Sequence, residues 1–92
     1  MTSYTTARFR KASKELPPNV KRAARRAYKL FVRDPWHPSL QFKQIHPIRP
    51  VFSARVGIGY RAMGTREGNQ VLWFWIGSHA EYNRLVSQIR RR

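Results

Sequence analysis

Val71-Leu72-Trp73-Phe74-Trp75-Ile76 is an unbroken apolar run that stops at Gly77. It is far too short to cross a bilayer, which takes about 20 apolar residues. Its length and its terminal glycine predict a strand buried on both faces. The residues that follow constrain the chain further. Ser78-His79-Ala80-Glu81 has the form of a capping box, with Ser78 as N-cap and Glu81 at the third helical position. Apolar residues then recur at Tyr82, Leu85, Val86 and Ile89, one face of a helix. His79 therefore stands at the mouth of a helix, on the rim of a sheet. Backbone N–H groups point outward there, and the helix dipole favours an anion.

The charge of the chain sharpens that expectation. It has 92 residues, 19 Lys and Arg against four acids, and a formal net charge of +15. The acids are Glu15, Asp34, Glu67 and Glu81. Such an excess repels itself and attracts polyanions. Nucleic acid, an anionic membrane and an acidic protein are the partner classes. No apolar span or lipidation signal favours the membrane. The first residues lack a signal-peptide core, which predicts a chain that stays in the cytoplasm. With no cysteine there is no disulfide or thiol chemistry, and a structural zinc site is not expected. His37, His46 and His79 have no metal-ligand spacing, and no cofactor is expected. The length suits one domain spanning residues 1–92.

Thr5–Glu15 is predicted as a helix burying Phe9, Ala12 and Leu16, broken by Pro17-Pro18. A second helix is predicted over Asn19–Arg33. Val20, Ala23, Ala24, Ala27, Leu30 and Phe31 form its apolar face, and Lys21, Arg22, Arg25, Arg26, Lys29 and Arg33 its basic face. Asp34-Pro35 ends it, and the two helices should form an antiparallel hairpin. Leu40-Gln41-Phe42-Lys43 alternates like a half-buried strand continuing towards Ile45. Val51–Val56 and Ile58–Met63 read as two more strands, with Gly57 and Gly59 marking a sharp turn or bulge. Arg66-Glu67-Gly68-Asn69 reads as the turn into Val71–Ile76. The expected fold is α+β: two N-terminal helices on a roughly four-stranded antiparallel sheet, then a C-terminal helix across the sheet or its edge. Arg90-Arg91-Arg92 is expected to fray.

The order of helix, Leu16-Pro17-Pro18 break, basic helix, DPWHPSL, FSARVGIGYRA, WFWIGSHAEY and final helix resembles the RelE/ParE superfamily of bacterial type II toxins. The resemblance covers nearly the whole chain. It implies a small toxin held inactive by an acidic cognate antitoxin. Its ribonuclease members cut messenger RNA on the ribosome, others poison DNA gyrase, and some are degenerate.

The resemblance places Arg61, in Gly59-Tyr60-Arg61, where ribonuclease members carry an arginine on the scissile phosphate. A fixed, always-charged fork suits that task. The plainer reading is a surface arginine on a strand, or one that pairs with an antitoxin carboxylate. His79 is the acid–base candidate, since imidazole can serve either role near neutral pH. Its plainer reading is a first-turn residue bonded to the cap. Tyr82 shares a helical side with His79 and is a candidate to stack on a base. It also falls on the apolar stripe, as a core residue with its hydroxyl at the rim. Arg55 could support the phosphate site or rigidify the sheet. Lys43 and Arg49 are candidate backbone-phosphate contacts, or solvated charges.

The chain also departs from the family. Ribonuclease members often carry a carboxylate base or paired lysines on the strands that face the scissile site. Phe52-Ser53-Ala54 supplies neither, and the strand from Leu40 offers Gln41 and Lys43. His37 and His46 are possible substitutes, although His37 lies in a proline-flanked loop that suits a structural role. Trp73 and Trp75 read as sheet core. The first reading is an endoribonuclease toxin acting on ribosome-bound messenger RNA by 2′-hydroxyl attack. Its catalytic set is Arg61, His79 and Tyr82, with Lys43, Arg49 and Arg55 on the nucleic acid. The alternatives are a gyrase-binding toxin and a basic nucleic-acid-binding module.

Overall fold

The alternating segments after Asp34 form strands, and the segments with helical spacing form helices. The computed structural model describes residues 1–91. Its elements are β1 (Thr2–Thr5), α1 (Ala7–Lys14), α2 (Pro18–Arg33), β2 (Lys43–Gln44), β3 (Val51–Gly57), β4 (Tyr60–Glu67), β5 (Gln70–Ser78) and α3 (His79–Arg90). The class is α+β, as expected. The sheet has five strands rather than four, in the order β1-β5-β4-β3-β2. The strands β2 to β5 pair antiparallel, and β1 lies parallel to β5, Thr2 opposite Gln70 and Thr5 opposite Trp73.

The sequence reading misses β1 because Thr-Ser-Tyr-Thr carries no apolar alternation. As an edge strand it is held by polar contacts instead. The Trp73 indole N–H donates to Ser3 Oγ at 3.2 Å, and the Thr6 amide donates to the Trp73 carbonyl at 3.0 Å. The expected start of the first helix at Thr5 is corrected on the same ground. Thr6 is the N-cap, its Oγ1 accepting from the Phe9 amide at 3.1 Å, and α1 begins at Ala7.

The segment from Leu40 is also corrected. Pro38–Leu40 is a short 3-10 turn, Gln41 is left-handed with φ 47°, and only Lys43–Gln44 joins the ladder. Leu40 and Phe42 are both buried in one core, so their alternation reflects a turn rather than a pleat. The β3–β4 connection contains both features expected of it. Gly57 and Gly59 take φ 141° and 77°, a backbone open to glycine, and the ladder slips between Arg55 and Gly57. Ile58 belongs to that turn, 90 % exposed, and β4 starts only at Tyr60. Arg66 and Glu67 belong to β4, which leaves Gly68-Asn69 as a two-residue turn.

The two faces of the sheet bury separate cores. On one face α1 packs against β5 and α2 against β3, over a core that includes Phe31, Ala54, Val56, Val71, Trp73 and Ile76. The two helices flank an apolar cleft of about 420 Å³ over that core. On the other face Tyr82 and Val86 of α3 cover Ile45 and Met63.

A bulge divides the apolar run between these cores. Met63 pairs with Trp75 and Gly64 with Trp73, which leaves Phe74 as the extra residue. Phe74 and Trp75 consequently both pack on the α3 side, while Trp73 and Ile76 stay on the other. Burial on both faces holds for most of the run, but Leu72 is 43 % exposed. The C-terminal helix lies on a face of the sheet. Arg90 is tied down, its Nε donating to the Ile45 carbonyl at 2.9 Å, and Arg92 lies outside the described residues. No helix among the described residues is long and apolar enough to cross a membrane.

Candidate active site

Sheet register creates the site. Arg61 on β4 stands opposite Arg55 on β3 and opposite Gly77 on β5, so the three share the α3 face. Gly77 is required by close approach: a Cβ there would fall 2.5 Å from Trp75 Cζ2. Arg61 is not the surface arginine of the plainer reading. It is 3 % exposed. Its Nη1 donates to Gln41 Oε1 at 2.8 Å, and its Nη2 donates to the Gln41 carbonyl at 3.2 Å and to Ser53 Oγ at 3.0 Å. Its Nε is buried without a partner among the described residues. The acceptors are all neutral, so the charge is taken out of water without a carboxylate among its hydrogen-bond partners.

Tyr82 joins Arg61 to His79. The guanidinium carbon lies 5.0 Å from the centre of the Tyr82 ring, within reach of a cation–π attraction. The tyrosine hydroxyl shares a hydrogen bond of 2.9 Å with Ser53 Oγ. Tyr82 is therefore a core residue, as its place on the apolar stripe suggests. Its hydroxyl, however, points to buried Ser53 and not to the rim. The Tyr82 ring also lies 5.7 Å from the His79 ring, inclined by 38°. His79 is exposed, and its amide donates to the Gly59 carbonyl at 2.7 Å. That bond ties the start of α3 to the β3–β4 turn. The Ser78 cap forms as expected: Ser78 Oγ accepts from the Glu81 amide at 3.2 Å and donates to Glu81 Oε1 at 3.0 Å.

The structure thus brings Arg61, Tyr82 and His79 into one stack that runs from the core to solvent. Arg55 is exposed and directly across the ladder from Arg61. Lys43 is exposed and opposite Ser53, two positions along the same face. Arg49 stands apart. It lies in the connection before β3, at the end of that strand away from Arg55 and His79. Its amide, with that of Ile48, donates to Nδ1 of buried His46, at 2.8 and 3.0 Å. His46 thus shapes that loop. His37 caps the 3-10 turn, with Nδ1 accepting from the Ser39 amide at 3.2 Å.

Two residues that the sequence reading passes over complete the site. Ser53, fully buried, is a hub for Arg61 and Tyr82, and Gln41 covers the guanidinium. The only sequence signal for Ser53 is a hydroxyl in a strand of otherwise apolar inward residues. Gln41 gives none, since it matters through a turn that alternation disguises.

A family model described as a ParE-like toxin domain matches residues 18–84, most of the chain. The chain belongs to the ParE-like toxin domain family. The matched span of this toxin takes in the whole stack and both of its supports. No curated protein matches it by sequence. Among solved structures, this ParE-like toxin is similar to the toxin in the RelB–RelE antitoxin–toxin complex of Methanococcus jannaschii. That match has a TM-score of 0.70 and 14 % identity over 89 % of this chain and 96 % of the other. YafQ from E. coli matches at TM-score 0.68 and 12 % identity, over 87 % and 94 %. The isolated E. coli RelE toxin matches at 0.62 and 14 %, over 96 % and 97 %. At such identities the likeness is one of fold, and it agrees with the RelE/ParE superfamily.

Proposed function

We propose that this ParE-like toxin is an endoribonuclease that cleaves messenger RNA on cytoplasmic ribosomes. The Arg61–Tyr82–His79 stack carries the reading. It sets a fixed cation and an exposed imidazole within 5.0 and 5.7 Å of one aromatic ring. In the proposed reaction a ribose 2′-oxygen attacks the adjacent phosphorus and the P–O5′ bond breaks. The products are a 2′,3′-cyclic phosphate and a 5′-hydroxyl. The proton lost by the 2′-hydroxyl passes to water, and His79 delivers a proton to the departing 5′-oxygen. Arg61 stabilises the charge that builds on the phosphoryl oxygens, a contribution that in comparable sites reaches about 10²–10³-fold. Arg55 and Lys43 guide the backbone towards it. Tyr82 holds Arg61 and His79 in mutual register, since its buried ring is committed to the core.

The test is primer extension on messenger RNA from cells expressing Arg61→Ala or His79→Ala at matched protein levels. Arg61→Ala is expected to relieve toxicity most. His79→Ala is expected to follow, with a loss of about 10²-fold, the low end for general acid–base catalysis, because a solvent proton can substitute. Folded variants that arrest growth like the parent would overturn the ribonuclease reading in favour of gyrase binding.

We also infer an acidic antitoxin as the partner. The +15 charge supports it, as does the presence of an antitoxin in the similar RelB–RelE complex. Association with the product of an adjacent acidic reading frame is expected to slow as salt rises. A salt-independent rate would remove the electrostatic argument.

A further inference from the structure

Gln41 combines two unusual properties. Its backbone is left-handed at φ 47°, a region that side chains other than Asn, Asp and His seldom occupy. It is exposed, yet it accepts from both terminal nitrogens of an arginine that is 3 % exposed. Two oxygens set against the Nη1–Nη2 edge of a guanidinium are what a phosphate or carboxylate offers in a bidentate pair. Gln41 reproduces the pattern with a side-chain amide and a backbone carbonyl, and brings no negative charge. The other acceptor, Ser53 Oγ, is neutral as well, and the buried Nε has no partner among the described residues.

We propose that Gln41 is a displaceable stand-in for the ligand phosphate. It holds the Arg61 fork in binding geometry and yields both contacts when a phosphodiester arrives. Ser53 and Tyr82, which also touch the guanidinium, are buried and Gln41 is exposed, so the ligand comes in on the Gln41 side. The exchange replaces two dipoles with an anion where water is excluded, and Coulomb attraction is strongest in such a setting. It also lets Gln41 leave the left-handed region. Gln41 is thus a positioning residue acting through Arg61. The proposal rests on the reading of Arg61 as the phosphate contact.

The test compares the whole chain with its Gln41→Glu and Gln41→Gly variants. Inorganic phosphate is titrated and followed at the Arg61 Nε–H resonance alone, identified by its loss in Arg61→Met. Phosphate bound elsewhere on so basic a surface then does not count. In Gln41→Glu the new carboxylate would pair permanently with Arg61, and phosphate affinity is expected to fall at least tenfold. The Gln41→Gly backbone accepts the left-handed angle, keeps the carbonyl contact to Nη2 and removes the side-chain contact to Nη1, and affinity is expected to rise severalfold. Affinities within twofold of the parent, a weaker Gln41→Gly variant, or no response of that resonance in any form would overturn the proposal. Cleavage of messenger RNA by the same variants separates the two readings. If affinity falls in the order Gln41→Gly, parent, Gln41→Glu but not even the parent cuts, the ribonuclease reading fails and the role of Gln41 stands. If the parent cuts and Gln41→Glu cuts equally well, the ribonuclease reading stands and the role of Gln41 falls.

Discussion

Arg61 brings a full charge into the core and receives only neutral acceptors in return. Taking a single ion out of water costs several kcal/mol even after the protein relaxes, and no carboxylate hydrogen-bonds Arg61 to offset it. Arg61→Met is therefore expected to stabilise the fold by about 1–2 kcal/mol while abolishing cleavage. In a domain of this size each kcal/mol moves the melting temperature by about 4–8 °C. Thermal unfolding by circular dichroism at fixed salt reads this directly. A lower melting temperature would mean that the cation holds the core together. Tyr82 is expected to behave in the opposite sense. Tyr82→Phe removes one buried hydrogen bond, at about 1 kcal/mol, and Tyr82→Ala opens a cavity worth about 3–5 kcal/mol. If cleavage falls with Tyr82→Ala but survives Tyr82→Phe, the ring acts by packing and its hydroxyl has no part in the chemistry. The resemblance singles out Arg61, and the cap and the apolar stripe single out His79 and Tyr82, but nothing in the sequence announces that Arg61 is buried. Ser53 and Gln41 are not legible at all, because their roles exist only once β3, β4 and the 3-10 turn have been brought together.

At the scale of elements, strands and helices with strong periodicity are legible, and those built by contact are not. The run from Val71 and the Ser78 cap announce β5 and α3, and Pro17-Pro18 separates α1 from α2. β1 is polar and gains its place from β5, so nothing within Thr2–Thr5 reveals it. The bulge at Phe74 is equally hidden, since it depends on the register of β4 against β5. It bears on the proposed site because it resets the phase of β5 ahead of Gly77 and Ser78. The cap at Ser78 then fixes where α3 begins and so where His79 projects. Ser78→Ala is expected to cost about 1 kcal/mol, the usual worth of an N-cap. Amide exchange is expected to quicken first in the opening turn of α3 and leave β4 unaffected. Uniform acceleration across the sheet would show that the cap supports the whole fold and not one helix end.

Across the whole molecule, charge sets opposite salt responses for stability and for binding. Raising sodium chloride from about 0.1 M to about 1 M shortens the screening length from about 10 Å to about 3 Å. Self-repulsion within a +15 chain weakens, so the melting temperature is expected to rise over that range. Ribosome affinity is expected to fall over the same range. Arg22, Arg25, Arg26, Lys29 and Arg33 lie exposed along α2. Replacing them by alanine is expected to flatten the dependence of affinity on salt, by about 0.7–0.9 in log–log slope for each phosphate no longer neutralised. An unchanged slope would place ribosome binding on another surface. The pairing of β1 with β5 adds a consequence in time. During synthesis Thr2–Thr5 emerges long before Gln70–Trp73, the segment it must lie beside. Arg61 likewise waits for Tyr82, which is made only after the last strand. A growing chain can thus complete its sheet only once β5 is made, and its stack only once translation has passed α3's first turn.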